Sequence, residues 1–164
     1  EIRLSLVGSE MCIRDRVINH LKQLYEIDDV QWLEETVKLL KDCQFEALDL
    51  ENLIEELEDL GSEKKNAVVS LLDQVIRHLL LLEYWAEERD YNANHWKSEI
   101  YNFRLQLQRR RTKTLYNHLT LKLDSIYSDS LGFVKIKTDK KINFPSECPY
   151  KLEQLFDINW LPEY

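Results

Sequence analysis

Val68-Val-Ser-Leu-Leu-Asp-Gln-Val-Ile-Arg-His-Leu-Leu-Leu-Leu82 decides the fold class of this chain. Read at helical spacing, Val68, Leu71, Leu72, Val75, Ile76, Leu79, Leu80 and Leu82 cover too much of the circumference for a helix with one wet side. Such a helix is central and is touched by neighbours on several sides, which implies a bundle. The punctuation agrees. The whole chain holds 3 Gly and 3 Pro, too few for the repeated turns of a β-rich domain. The expectation is an all-α fold, a compact bundle of about five helices, with a returning extended C-terminal segment and a short terminal helix.

Working outward, Asp28 or Asp29 can cap a first helix opening within Tyr25–Trp32. Val30, Leu33, Val37 and Leu40 carry it to Lys41. Cys43-Gln-Phe45 links it to a second helix striped by Leu50, Leu53, Ile54 and Leu57, with Leu60-Gly61 as a stop signal. Ser62 is read as the cap of the central helix, which runs to Glu88. Arg89-Asp-Tyr-Asn-Ala-Asn94 is read as the turn into a fourth helix starting at His95 and Trp96. Arg109-Arg-Arg-Thr-Lys-Thr114 marks a break, with Thr114 capping a fifth helix through Leu115, Leu119, Leu123, Ile126 and Tyr127. Residues 130–142, where Phe133, Val134 and Ile136 alternate with lysines, read as extended linker.

At the C-terminal end stands Asn143-Phe-Pro-Ser-Glu-Cys-Pro-Tyr-Lys-Leu-Glu-Gln-Leu-Phe156. Pro145 and Pro149 keep the preceding residues extended, and Pro149 suits the first position of a helix. Leu152, Leu155, Phe156 and Trp160 are then placed to dock on the bundle.

The net charge of −8 disfavours nucleic acid as a partner, because it repels phosphate. Ser5-Leu-Val-Gly-Ser-Glu-Met-Cys-Ile-Arg-Asp-Arg16 resembles a translated sequencing-adapter artefact, and its charges interrupt any signal-peptide core. Residues 1–16 are therefore read as a non-native leader and residues 17–164 as a single helical domain. Beyond that leader the thiols are Cys43 and Cys148, without CxxC spacing, which suits a reducing cytoplasm. No apolar run approaches the ~20 residues of a membrane span.

Chemistry has few footholds. On the helix ending at Gly61, Asp49, Asn52 and Glu56 share one flank of the apolar stripe, while Glu51, Glu55 and Glu58 point more towards water. Carboxylates on one flank bind a cation if a histidine faces them, and His78, embedded in the central helix, is the natural partner. The Glu-x-x-His pairs of a di-iron bundle are absent, since Val75 stands three residues before His78 and Leu115 before His118. The plainer reading is that Glu56 or Asn52 pairs with His78 or Arg77 to satisfy polar groups. No glycine-rich phosphate loop or Gly-x-Ser-x-Gly elbow is present. Arg109, Arg110 and Arg111 form an anion patch, or else complement a helix C-terminus. Tyr84, Trp85, Tyr91, Trp96, Tyr101 and Phe103 crowd one turn, as a locked core or an exposed binding patch.

Three blocks, Leu50–Gly61, His78–Trp85 followed by Trp96 and the Ile100–Arg104 pair, and Phe144–Leu155, resemble the bacterial domain of unknown function family 29, common in cyanobacteria. The resemblance covers about residues 25–161 and implies a compact helical domain with no transferable catalytic residue, cofactor or metal. Glu56, His78 and Arg104 match its polar motif positions. The functional expectation is a cytoplasmic, non-catalytic module that binds a protein partner or itself. The alternatives are a metal-dependent enzyme using Glu56 and His78, and a nucleic-acid-linked regulator using Arg109 to Arg111.

Overall fold

The computed structural model describes residues 2–164, with side chains from residue 15 onward. The side chains of the proposed leader up to residue 14 lie outside the described residues. The elements are α1 (Ile2–Ile27), α2 (Asp29–Lys41), a 3-10 turn (Phe45–Ala47), α3 (Leu50–Tyr84), α4 (Ala86–Arg110), α5 (Lys113–Lys137) and α6 (Leu152–Phe156). Among the described residues there is no strand, and the fold is all-α as the composition implied. Among the described residues no helix is long and apolar enough to cross a membrane.

The chain divides into two compact units, residues 1–61 and 62–164, with the division falling inside α3. In the first unit, Asp28 caps α2 as expected, its carboxylate accepting from the Gln31 amide at 3.0 Å. α2 ends at Lys41, and Cys43, at a φ of 57°, takes the left-handed conformation that turns the chain out of it. The small core is Leu21 and Leu24 of α1 against Trp32 of α2, with Val17, Tyr25, Leu39 and Leu53 packed around it. The Tyr25 and Trp32 rings meet edge to face at 5.0 Å.

The second unit is a helical bundle around the latter half of α3. Val68, Leu72, Val75, Ile76 and Leu79 to Leu82 are all buried there, the all-round burial that the apolar run demanded. α4 returns antiparallel: Trp85 stacks on Trp96 at 6.1 Å while His78 meets Phe103 at 5.7 Å, so the contacts step in opposite directions along the two helices. α5 runs parallel to α3, since Ser130 meets Asp73 and, one turn on, Phe133 meets Arg77. The segment after α5 then comes back over the bundle. Tyr127 donates to the Pro145 carbonyl at 2.7 Å, Phe144 packs on Tyr84, and α6 buries Leu152, Leu155 and Phe156.

Five boundaries differ from the sequence reading. α3 does not stop at Gly61 but runs through it, and a Cβ at that position would meet nothing within 4 Å. A glycine costs a helix only about 1 kcal/mol, less than the surrounding helical residues supply. The chain turns at Trp85 rather than over 89–94, because Arg89 closes the end of α3 from the first turn of α4. Its Nε donates to Leu82 O at 2.8 Å and its Nη2 to Glu83 O at 2.6 Å, satisfying carbonyls that a helix end leaves free. Thr112, not Thr114, caps α5, accepting from the Leu115 amide at 3.2 Å. Finally α5 continues to Lys137, so residues 130–137 are helical and not linker. Ser130, Val134 and Thr138 recur every fourth residue and are all buried, a helical face hidden beneath an apparent alternation. α6 also begins at Leu152, two residues beyond the segment locked by Pro149.

Candidate functional site

The acidic flank is built at the start of α3. Asp49 is buried, and Asn52 Nδ2 donates to its Oδ2 at 2.6 Å. Its Oδ1 has no hydrogen-bond partner, and neither do Trp32 Nε1 and Thr36 Oγ1, also in the first unit. Such buried atoms cost stability. Glu56 accepts from the Tyr25 hydroxyl at 3.0 Å. That carboxylate, accepting the bond, pushes the Tyr25 pKa up to about 12. Glu51 pairs with Lys22 at 2.8 Å, which lowers the carboxyl and raises the ammonium.

His78 belongs to the other unit and has other partners. Its Nδ1 lies 2.7 Å from the Gln74 carbonyl one turn earlier, and its ring packs on Phe103. Glu56 and His78 thus stand on one helix, α3, rather than on two facing ones, and each is engaged separately. Among the described residues no group of three or more His, Cys, Asp or Glu is gathered to hold a metal ion.

Burial lowers the His78 pKa, outweighing the Gln74 carbonyl and Glu99, with Lys137 and His95 lowering it further. The sign of the pH effect follows. The unfolded chain binds a proton at this histidine near the usual value of about 6.5, more readily than the native chain does. His78 therefore adds stability above that pH and loses it as the pH falls towards the depressed native value. Denaturant titrations at pH 7.5 and 5.5 are expected to show a drop that is smaller in His78→Gln; an unchanged drop refutes this.

Arg104 is fully buried on α4 and is a clamp. Its Nε donates to Leu155 O at 3.0 Å, Nη2 to Gln154 O at 2.9 Å and Nη1 to Trp160 O at 2.5 Å. One turn on, Gln108 Nε2 reaches Phe156 O at 3.2 Å. A cation thus closes the carbonyl end of α6, where the helix dipole favours it. Burial lowers the Arg104 pKa to about 10, so it stays charged at neutral pH. The three-arginine patch divides similarly. Arg111 lies over the Tyr116 and Phe156 rings at 4.9 and 5.6 Å, while Arg109 and Arg110 are exposed in the last turn of α4.

Other polar groups in the second unit were not anticipated. Asp73 takes both Arg77, at 2.6 Å, and the buried Ser130 hydroxyl, at 2.6 Å, tying α3 to α5. Tyr150 donates to Glu83 at 2.8 Å, and burial, then that carboxylate, pushes its pKa far up. The Asp73–Arg77 spacing of four was legible as a helix pair; Ser130 and Tyr150 carried no local signal. The half-buried Cys148 thiol faces the Tyr150 carbonyl at 3.5 Å, and burial raises its pKa. The aromatic cluster splits: Tyr84, Trp85, Trp96 and Phe103 join the core, whereas Tyr91 and Tyr101 are exposed.

The other departure concerns apolar side chains. α2 buries Trp32 and Thr36, leaving Val30, Leu33, Val37 and Leu40 exposed on a different face. At the start of α3, Leu53 packs inward, but Leu50, Ile54 and Leu57 are 56, 55 and 60% exposed. Each acid of the outer flank follows a stripe residue directly: Glu51 after Leu50, Glu55 after Ile54, Glu58 after Leu57.

The chain matches the family described as Domain of unknown function DUF29 over residues 24–161. No curated protein and no solved structure matches it. With most of its length covered, including the acidic start of α3, the His78–Arg104 stretch and the C-terminal clamp, the chain belongs to the DUF29 family.

Proposed function

We propose that this protein is a cytoplasmic, non-catalytic protein-interaction module. The observation that carries the reading is the pair of apolar stripes in the first unit, Val30–Leu40 on α2 and Leu50–Leu57 on α3, which the unit's own core leaves exposed. Apolar residues at helical spacing on an open face are what a partner helix or groove covers. The groups considered for catalysis have structural partners instead: Glu56 holds Tyr25, His78 holds its own helix, and Arg104 holds the C-terminal segment. The exposed thiol of Cys43 and the unpaired Cys148 suit a reducing compartment.

The test is a stability comparison. Leu33→Ser and Leu57→Ser are expected to change the free energy of unfolding by less than about 0.5 kcal/mol, as surface substitutions do. Equivalent truncation of a core leucine costs about 2–5 kcal/mol. Denaturant midpoints decide it: a loss of core size at Leu33 or Leu57 makes these faces part of the folding core and removes the basis for the module.

A further inference from the structure

We infer that the face of α3 bearing Leu50, Ile54 and Leu57 docks a basic amphipathic helix of another protein. The inference rests on the interaction-module reading and adds the class of partner. Spacings of four and three place the three side chains in one seam, the arrangement that seats the apolar ridge of a second helix. From Leu50 to Leu57 the seam spans about 10 Å, two turns of partner. Its charge is one-sided. Between Asp49 and Asp59 the chain carries six carboxylates and no lysine or arginine.

Of these, Asp49 is buried on Asn52, Glu56 accepts from Tyr25, and Glu51 is bridged to Lys22. Glu55, Glu58 and Asp59 make no ion pair or hydrogen bond among the described residues, and all are exposed. At about 100° per residue, Glu58 flanks the seam, Glu55 stands farther round and Asp59 faces away from it. Glu58 and the one-signed segment around it repel a second copy of the same acidic helix and attract lysine or arginine at a partner's flanking positions. A second copy of this segment is thereby disfavoured, as is any other acidic helix. Cations on the partner's flanks complete the match, steering encounter and setting its orientation.

The experiment uses the full chain and two designed helical peptides with the same leucine seam, one flanked by lysines and one by glutamates. Binding is followed by fluorescence anisotropy, and the contact face is mapped by amide shifts. The lysine peptide is expected to bind with shifts centred on residues 50–60, and the glutamate peptide to bind at least about tenfold more weakly. Ile54→Ser is expected to weaken the lysine peptide about tenfold. The pair Glu55→Lys and Glu58→Lys is expected to weaken it about fivefold and to narrow the gap between the two peptides. Equal binding of both peptides, or shifts elsewhere on the chain, overturns the inference. So does sedimentation showing that the chain dimerises through this seam, although the module reading then stands. If neither peptide binds and Ile54→Ser destabilises the fold like a core substitution, both fall together.

Discussion

Replacing Arg104 with methionine is expected to release the C-terminal segment, residues 143–161, from the bundle and to lower the stability of the second unit by about 3 kcal/mol or more. Two effects oppose each other. Removing a buried guanidinium relieves its desolvation, which by itself favours the variant. Against this, the Leu155 and Trp160 carbonyls lose their donor, and the Gln154 carbonyl keeps only the Asp157 amide at 3.3 Å. Hydrogen bonds to a charged group contribute about 1.5–3 kcal/mol each, and a carbonyl left buried without one is costly. The carbonyls win because three are served by one planar group, and methionine replaces none of the donors. Arg104→Lys is expected to fall between, since a single ammonium cannot address three acceptors with the geometry of a fork. The readout is thermal unfolding, with a fall of about 10 °C or more, together with hydrogen exchange of the 143–161 amides. A shift under about 1 kcal/mol would show that Leu152, Leu155 and Phe156 hold the segment without the clamp.

Trp32→Ala is expected to melt the first unit while leaving the second protected. Trp32 is the largest member of a core whose other buried members are Leu21 and Leu24. Removing a buried tryptophan side chain costs about 3–5 kcal/mol. A core of that size has little to spare, and it already carries the unpartnered Trp32 Nε1, Thr36 Oγ1 and Asp49 Oδ1. The second unit has its own core, from Val68 to Phe156, which contains none of these residues. Hydrogen exchange should show fast amides over α1 and α2 and slow ones at Leu79 to Leu82. Loss of protection in both regions together would refute independent unfolding.

Much of the local structure was legible because the signals were local. Asp28 caps α2 through an amide three residues away, and the break within Arg109–Thr114 follows from a cationic helix end, although Thr112 and not Thr114 supplies the cap. Where the reading failed, the deciding partner was elsewhere. Gly61 looked like a stop because glycine commonly follows a helix, yet nothing in the following residues takes the chain out of it. The turn at Trp85 depends on Arg89 reaching back to Leu82 and Glu83, a contact formed only once the turn exists. Residues 134–137 alternate apolar and basic, but Asp73 and Arg77 on α3 receive Ser130 and Phe133 at helical spacing.

The candidate site shows the same division. Arg104 was picked out as a polar motif position of the family the chain resembles; its role was not legible, because its acceptors lie 50 to 56 positions away in sequence. The sequence by itself determined that the chain is all-α, that Val68–Leu82 is central and that the segment after Asn143 returns to the bundle. Those conclusions rest on periodicity, turn residues and proline geometry, which act over a few residues. Tertiary structure alone decided which way each stripe faces. Periodicity shows that Val30, Leu33, Val37 and Leu40 share a side of α2, and that Leu50, Ile54 and Leu57 share a side of α3. Whether a shared side is core or open surface depends on what packs opposite. In the first unit Trp32, Thr36 and Leu53 turn inward, and the more regular stripes are left outside.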